Sequence, residues 1–292
     1  TERPMSNPLL ESHDLPPFDR ILPEHVAPAI DTILAENRAA IAVLAAAPAT
    51  WEGVPAVLEQ LQDRLDQAWS PVSHLNAVMN SEAWREAYNG TLPKLAAYST
   101  ELGQNEDLFT VYAALEKGPH FAGFNQAQQQ SIRHALRDFR LSGIGLPADK
   151  KKRFADIQEK FAELSSGFAD AVLDATQAWE LCLEDDARLG GLPESAKGLL
   201  AALAQQKDKA GYRITLDAPS YLAVMMHAAD RGLREAVYTA FVTRASDQGP
   251  HAGQFDNSAR MVEILRNRQE MADLLGYANY AEVSLVSKMA ES

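Results

Sequence analysis

The sequence has almost no cysteine. Cys182 is the only one in 292 residues, so no disulfide can form within the chain. Secreted domains rely on cysteine pairs, whereas proteins of the reducing cytoplasm do not. We therefore expect a cytoplasmic protein.

Long apolar runs and excess positive charge are also missing. The longest nearly apolar stretch, 39–48, is too short to span a bilayer, and the N-terminus has no basic region followed by an apolar run. The chain has 40 acidic and 27 basic residues, a formal net charge of −13, which repels nucleic acid and anionic membranes. We expect neither nucleic acid nor membrane as a partner.

No segment has the composition of a flexible linker rich in Gly/Ser or Pro, so residues 1–292 are predicted to form a single lobe. Helical periodicity dominates, which predicts a mainly α, elongated multi-helix lobe. The clearest helix follows Pro147, because its apolar residues repeat as a heptad seam: Phe154, Ile157, Phe161, Leu164, Phe168, Ala171 and Ala175. We expect it to pair with the preceding helix through Ile132, Leu136 and Phe139, giving a long helical hairpin over about 125–178.

Only two segments alternate with a period of two, one starting at Trp179 and the other at Tyr212. They predict a small two-stranded β element within about 179–216, with a helix inserted over 193–206. Further helices are expected over 219–292.

The motifs of the commonest hydrolases are missing. None of the seven histidines is followed by glutamate, so there is no His-Glu-x-x-His zinc helix, and there is no Gly-x-Ser-x-Gly elbow. Gly143, Gly145 and Ala148 formally match a dinucleotide fingerprint, but they follow a helix rather than a strand, which favours a simple turn. We therefore predict no catalytic, cofactor-binding or metal-binding residue in this chain.

Other candidate features have ordinary structural interpretations. The basic run 150–153 spreads around a helix and is expected to be solvated. The side chains of Trp69, Trp84, Trp179, Tyr221 and Tyr238 could line a peptide groove, but each lies in an apolar pattern that favours core packing. Cys182, on a predicted strand, is expected to be packed or half exposed; His74 and His227 are expected to pack.

The segment from Thr243 to the end of the chain contains a polar loop and two helices. Arg244, Asp247, Asp256 and Asn257 lie in the loop, which is held either by its own hydrogen bonds or by a ligand, and we favour the first. The first helix has a predicted apolar face formed by Met261, Val262, Leu265, Ala272 and Leu275, and Gly276 marks its end. The second starts near Tyr280, and its apolar face is expected to be frayed or to contact another copy: Val283, Leu285, Val286 and Met289.

Several long segments, in the same order, resemble one known family. They include AELSSGFADAVLDATQAW (162–179), LDAPSYLAVM (216–225), RASDQGPHAG (244–253) and LLGYANYAEVSLVSKMAE (274–291). Over essentially its whole length the chain is similar to the N-terminal portion of the thimet-oligopeptidase-like M3 family of zinc metallopeptidases.

The resemblance implies a cytoplasmic enzyme that cleaves short peptides inside a channel between helical lobes. In that family zinc is held by a His-Glu-x-x-His helix and a downstream glutamate, and nothing in this sequence matches them. The chain is thus expected to be a channel-forming N-terminal lobe leading to a C-terminal catalytic domain, to bind no zinc and to be inactive alone. Two alternatives stay open: a stand-alone helical module that binds peptides or a protein without cutting them, and a fragment that associates with a separately made catalytic half.

Overall fold

The computed structural model describes residues 7–44, 47–79 and 81–290. These residues form eleven α-helices and two β-strands, which confirms the mainly α prediction with its small β element. The helices and strands, in chain order, are α1 Pro23–Leu44, α2 Pro55–Met79, α3 Glu82–Gly103, α4 Glu106–Lys117, α5 Gln126–Leu141, α6 Ala148–Ala178, β1 Glu180–Leu183, α7 Glu194–Gln205, β2 Tyr212–Thr215, α8 Ala218–His227, α9 Arg231–Val242, α10 Ser258–Leu275 and α11 Tyr280–Leu285.

Polar side chains mark several helix starts, because the first backbone N–H groups of a helix have no partner within it. Ser81 accepts a hydrogen bond at the start of α3 and Asn105 does so at the start of α4. Asn125 and Gln128 form a reciprocal capping box at the start of α5. After α10, Gly276 has a φ of +82°, the left-handed conformation expected there.

The chain divides into two compact units. The first comprises the described residues up to Glu163 together with those from Asn267 onward, and the second is Leu164–Arg266. The organisation of the chain as one lobe over 1–292 stays a prediction.

The main core of the first unit lies among its first five helices. Apolar side chains at helical spacing on α1, including Val26, Ile30 and Ile33, are completely buried there. The same cluster includes Leu108 of α4 and Ile132 of α5, so α4 and α5 complete it.

The predicted pairing of α5 with α6 is wrong. The α5 side chains Ile132, Leu136 and Phe139 pack in the cluster with α4, where the rings of Phe109 and Tyr112 meet the Phe139 ring at 5.9 and 5.7 Å. The first part of the α6 seam packs instead on α10 and α11, in a cluster of Phe154, Ile157, Met271, Ala272 and Val283. An apolar seam requires a partner but does not specify which one.

The sheet and the inserted helix lie in the second unit. Strands β1 and β2 are antiparallel, with Glu180 opposite Thr215 and Leu183 opposite Tyr212, and α7 lies between them in the chain. Their predicted pairing is confirmed. The core beside the sheet contains buried side chains of β2, of segments next to the two strands, and of α7, α8 and α9. They are Trp179, Leu189, Leu200, Ile214, Leu216, Val224, Leu233 and Val237.

Candidate functional site

No group of three or more His, Cys, Asp or Glu side chains in the described part of the chain is arranged to hold a metal ion. His74 lies with its ring 5.3 Å from the Phe18 ring, and His227 lies in the last turn of α8. The donor set that zinc needs is therefore not assembled by these residues.

Cys182 lies on β1 with its side chain exposed. The Lys209 ammonium is 3.7 Å from its sulfur and also pairs with Glu180, which Arg213 contacts from its own position on β2. These two cations hold the pKa of the Glu180 carboxyl below its ordinary value. The group is an ion cluster on the exposed side of the sheet.

The glycine-rich segment between α5 and α6 is a turn, as predicted. Gly143 has a φ of +79°, and a side chain there would collide with Leu146. Two cations of the basic run that follows form ion pairs, Lys151 with Glu106 at 2.5 Å and Arg153 with Glu270 at 2.6 Å. Both features are structural.

Most of the candidate aromatic residues belong to cores. Trp84 and Trp179 are buried, Trp69 stacks on Tyr88 and Tyr221 stacks on Phe241. The prediction is wrong for one residue: Tyr238 is 51% exposed, because it projects from the outer face of α9.

The polar loop that precedes α10 is held by its own hydrogen bonds. Asn257 is buried; its amide donates to the Phe168 carbonyl at 3.1 Å and its oxygen accepts from Arg260 at 2.8 Å. Asp256 accepts from the backbone and hydroxyl of Ser258 at the start of α10, which lowers the pKa of the Asp256 carboxyl. This agrees with the structural interpretation.

Arg244 occupies the same loop and is half-buried. Its guanidinium lies 3.7 Å from the centre of the Phe241 ring and donates to the Phe241 carbonyl and, at 3.0 Å, to the Thr176 hydroxyl. Burial lowers the pKa of Arg244, and no carboxylate pairs with it among the described residues. Its partners are the aromatic face and helix-terminal oxygens.

The second unit exposes apolar strips on three helices. On α10, Met261 is 45%, Val262 47% and Leu265 63% exposed, so this half of the predicted apolar face lies on the surface. The helix buries mainly Met271 and Ala272, near its other end. The other two strips pair residues four apart, on one face of a helix: Leu222 and Met226 on α8, Tyr238 and Val242 on α9.

The sequence pattern did not predict the exposed strip on α8, because α8 is apolar on almost all sides. Such a pattern does not distinguish an exposed face from a buried one. In α11, Val283 is buried, so its predicted exposure is wrong. Val286 and Met289, which follow the helix, are exposed. Exposed apolar surface of this kind is typical of interaction sites.

Two protein-family models match the chain. Residues 30–151 match the neurolysin/thimet oligopeptidase N-terminal domain, and residues 224–292 match peptidase family M3. Oligopeptidase A of Salmonella typhimurium is 50% identical over 290 residues, covering 99% of this chain. The chain is therefore similar to the N-terminal portion of proteins of peptidase family M3.

Other relatives agree with this similarity. Oligopeptidase A of Escherichia coli is 49% identical over 99% of the chain, and the probable cytosolic oligopeptidase A of Arabidopsis thaliana is 39% identical over 98%. The chain spans only 43% of the two bacterial relatives and 41% of the plant one, and it corresponds to their N-terminal portion. No helix in the described ranges is both long and apolar enough to cross a membrane.

Proposed function

We propose that this chain forms the N-terminal, channel-forming lobe of a zinc-dependent oligopeptidase that hydrolyses short peptides in the cytoplasm. The observation that carries the proposal is the 50% identity to oligopeptidase A over 290 residues. Zinc and its ligands would come from sequence beyond these residues, since no metal-binding group is found in the described part of the chain.

The exposed apolar strips of the second unit support this proposal. Side chains such as Leu265 and Met226, at 63% and 70% exposed, gain free energy when another surface covers them, by roughly 25 cal/mol per Å² of apolar area. In the proposed enzyme the covering surface is the catalytic domain or a peptide in the channel. The cytoplasmic location is supported by the single cysteine and by the similarity to the plant protein named probable cytosolic oligopeptidase A.

The test is to assay the purified 292-residue chain for bound zinc and for cleavage of a short fluorogenic peptide. We expect neither, because the chemistry requires ligands that these residues do not assemble. Stoichiometric zinc, or cleavage that a chelator abolishes, would show the assignment of roles to be wrong.

The alternative is a helical module that binds peptides or a protein and cuts nothing. The same exposed strips would serve it, so the natural coding sequence distinguishes the two proposals. A reading frame that continues from Ser292 into a His-Glu-x-x-His helix supports the oligopeptidase, and an immediate stop codon supports the module.

A further inference from the structure

The hairpin of α8 and α9 in the second unit exposes apolar side chains on its outer side. The two helices are joined by residues 228–230 and run antiparallel, because the Tyr221 ring near the start of α8 stacks on the Phe241 ring near the end of α9 at 3.9 Å. On each helix an exposed pair flanks a buried residue at a distance of two positions, Val224 in α8 and Ala240 in α9. Residues two apart point to nearly opposite sides of a helix, so both pairs face away from the core. We call these four side chains the hairpin face: Leu222, Met226, Tyr238 and Val242.

A cation lies at one end of the hairpin face. Arg244 comes two residues after Val242, and its guanidinium lies over the Phe241 ring, with Cζ 3.7 Å from the ring centre. Because Phe241 also stacks on Tyr221, the neighbouring Leu222 is at this same end of the hairpin. The cation and the apolar side chains of Leu222 and Val242 therefore share one end of the helix pair.

The guanidinium of Arg244 is held in place and still has a donor for a ligand. Its Nε donates to the Phe241 carbonyl and its Nη1 donates to the Thr176 hydroxyl. Its Nη2 hydrogen-bonds to no described residue and stays accessible. A guanidinium that packing has already positioned loses little conformational entropy when it binds a carboxylate.

The described residues do not neutralise Arg244. The carboxylates of Asp217, before α8, and Asp247, in the loop, form no ion pair with it and do not raise its pKa. Arg231 and Glu235 are exposed on the same side of α9 as the hairpin face, but their charges are opposite and cancel. A negative group of a ligand is therefore attracted to the Arg244 end of the face.

The size of the hairpin face favours a short partner. Stable interfaces between folded proteins take about 20–30 residues from each side, whereas this face offers four apolar side chains and one cation. Apolar side chains close to a carboxylate are the chemistry of the C-terminal end of a peptide. A peptide end therefore matches both parts of the face.

We propose that the hairpin face binds the C-terminal end of a short peptide. The terminal carboxylate accepts from Arg244, and the last apolar side chains of the peptide lie on the hairpin face. The inference rests on the proposed function and deepens it, because it names a feature of the peptides that the lobe admits. Binding is measured without cleavage, so its failure would leave the oligopeptidase proposal standing, which the zinc and cleavage assays decide separately.

The experiment is calorimetric titration of the full 292-residue chain with N-acetyl-Ala-Leu-Phe and, separately, with its C-terminal amide. The two peptides have the same apolar side chains, and the amide lacks the carboxylate. The net charge of −13 repels the acid from the chain as a whole, so a preference for the acid reports a local cation. We expect saturable one-to-one binding, with the acid bound at least about tenfold more tightly than the amide.

Variants test the two parts of the face separately. Arg244→Gln should remove the preference for the acid, and Arg244→Lys should retain only part of it, because an ammonium lacks the planar fork of donors. The matched control Arg140→Gln, at an exposed arginine of α5, should bind like the parent. Met226→Ser, at a 70% exposed position, should weaken binding of both peptides at least about threefold. Its control Val43→Ser, at a 66% exposed position of α1, should weaken neither.

Circular dichroism and thermal unfolding establish that each variant folds. If Arg244→Gln does not, Arg244→Lys and Met226→Ser decide, and each should weaken binding of the acid. The proposal is overturned by the absence of saturable binding up to about 10 mM peptide, a concentration that detects even weak ligands. It is equally overturned if the parent binds acid and amide alike, or if a folded Arg244→Gln chain still prefers the acid.

Gel filtration tests the other occupants of the face. A dimer that Met226→Ser dissociates would mean that a second copy of the chain covers it. Loss of peptide binding when the C-terminal portion of Escherichia coli oligopeptidase A is added would mean that the rest of the enzyme covers it. Either result overturns the proposal.

Discussion

At the scale of single residues, burial of Tyr112 links stability to pH. Burial, with a contribution from the Glu59 carboxylate, raises the pKa of Tyr112 to about 12, whereas a phenol in an unfolded chain ionises near pH 10. Between these values the unfolded chain has lost the proton and the folded chain retains it. The stabilising contribution is therefore present below about pH 10 and is lost as pH rises through about 12.

We predict that Tyr112→Phe reduces this pH dependence. The parent should lose about 2–3 kcal/mol of unfolding free energy from this group between pH 10 and 12, and the variant should not. Urea unfolding of both proteins at half-unit steps in pH measures the difference. If the unfolding free energies of the parent and the variant change equally with pH, Tyr112 ionises in the folded chain as it does in the unfolded one.

Gly211, just before β2, is required by its backbone conformation. Its φ is +76°, and a methyl group there would collide with the carbonyl oxygens of Leu183 and Glu184. We predict that Gly211→Ala lowers the unfolding free energy by about 2 kcal/mol or more. The control is Gly198→Ala in α7, where a methyl group meets nothing within 4 Å; it should raise stability by up to about 1 kcal/mol. Equal urea midpoints for the two variants would contradict the collision.

At the scale of helices, α10 exposes apolar side chains at one end and buries them at the other. Leu265 is 63% exposed and Met271 is 7% exposed. We predict that Leu265→Ala changes the unfolding free energy by less than about 0.5 kcal/mol, whereas Met271→Ala costs about 2–4 kcal/mol because it leaves a cavity. Denaturant titration of the isolated chain compares them, and a large cost for Leu265→Ala would mean that the strip is covered within the chain.

Local sequence signals identified the individual elements better than their partners. Gly276 ends α10 as predicted, and the alternation at Trp179 and Tyr212 correctly indicated two pairing strands. These signals depend on neighbouring residues only. The choice of α4 rather than α6 as the partner of Phe139 depends on contacts distant in the chain, so periodicity could not supply it.

The same limit applies to sites. The sequence correctly indicated that Asn257 and Asp256 secure their own loop, because short polar side chains bond to nearby backbone. It gave no sign that Tyr98 and Tyr112, on different helices, share a cavity, nor that Met261 and Leu265 are exposed. Which side chains meet in a cavity, and which stay on the surface, is determined only when the helices pack.

At the scale of the whole molecule, the proposed role makes the exposed strips an interface. We predict that mixing this chain with a separately produced C-terminal portion of Escherichia coli oligopeptidase A gives a complex with peptidase activity that neither part has alone. Leu265→Glu should weaken that complex at least about tenfold while leaving the chain folded, since a buried unpaired carboxylate is costly. Gel filtration and a fluorogenic peptide assay report assembly and activity, with Asp247→Asn, at an exposed loop position, as the control. If Leu265→Glu leaves the peptidase activity of the mixture unchanged, the interface does not include this strip.

The helix inserted between the two strands also bears on the order of folding. Pairing of β1 with β2 requires the segment 184–211 to bring its ends together, and closing such a long flexible loop carries an entropic cost. When α7 has formed, twelve of those residues already have a fixed helical backbone. The remaining residues of the segment then lose less conformational entropy when the strands pair. The sheet should then be kinetically dependent on α7, with strand pairing following helix formation rather than nucleating it.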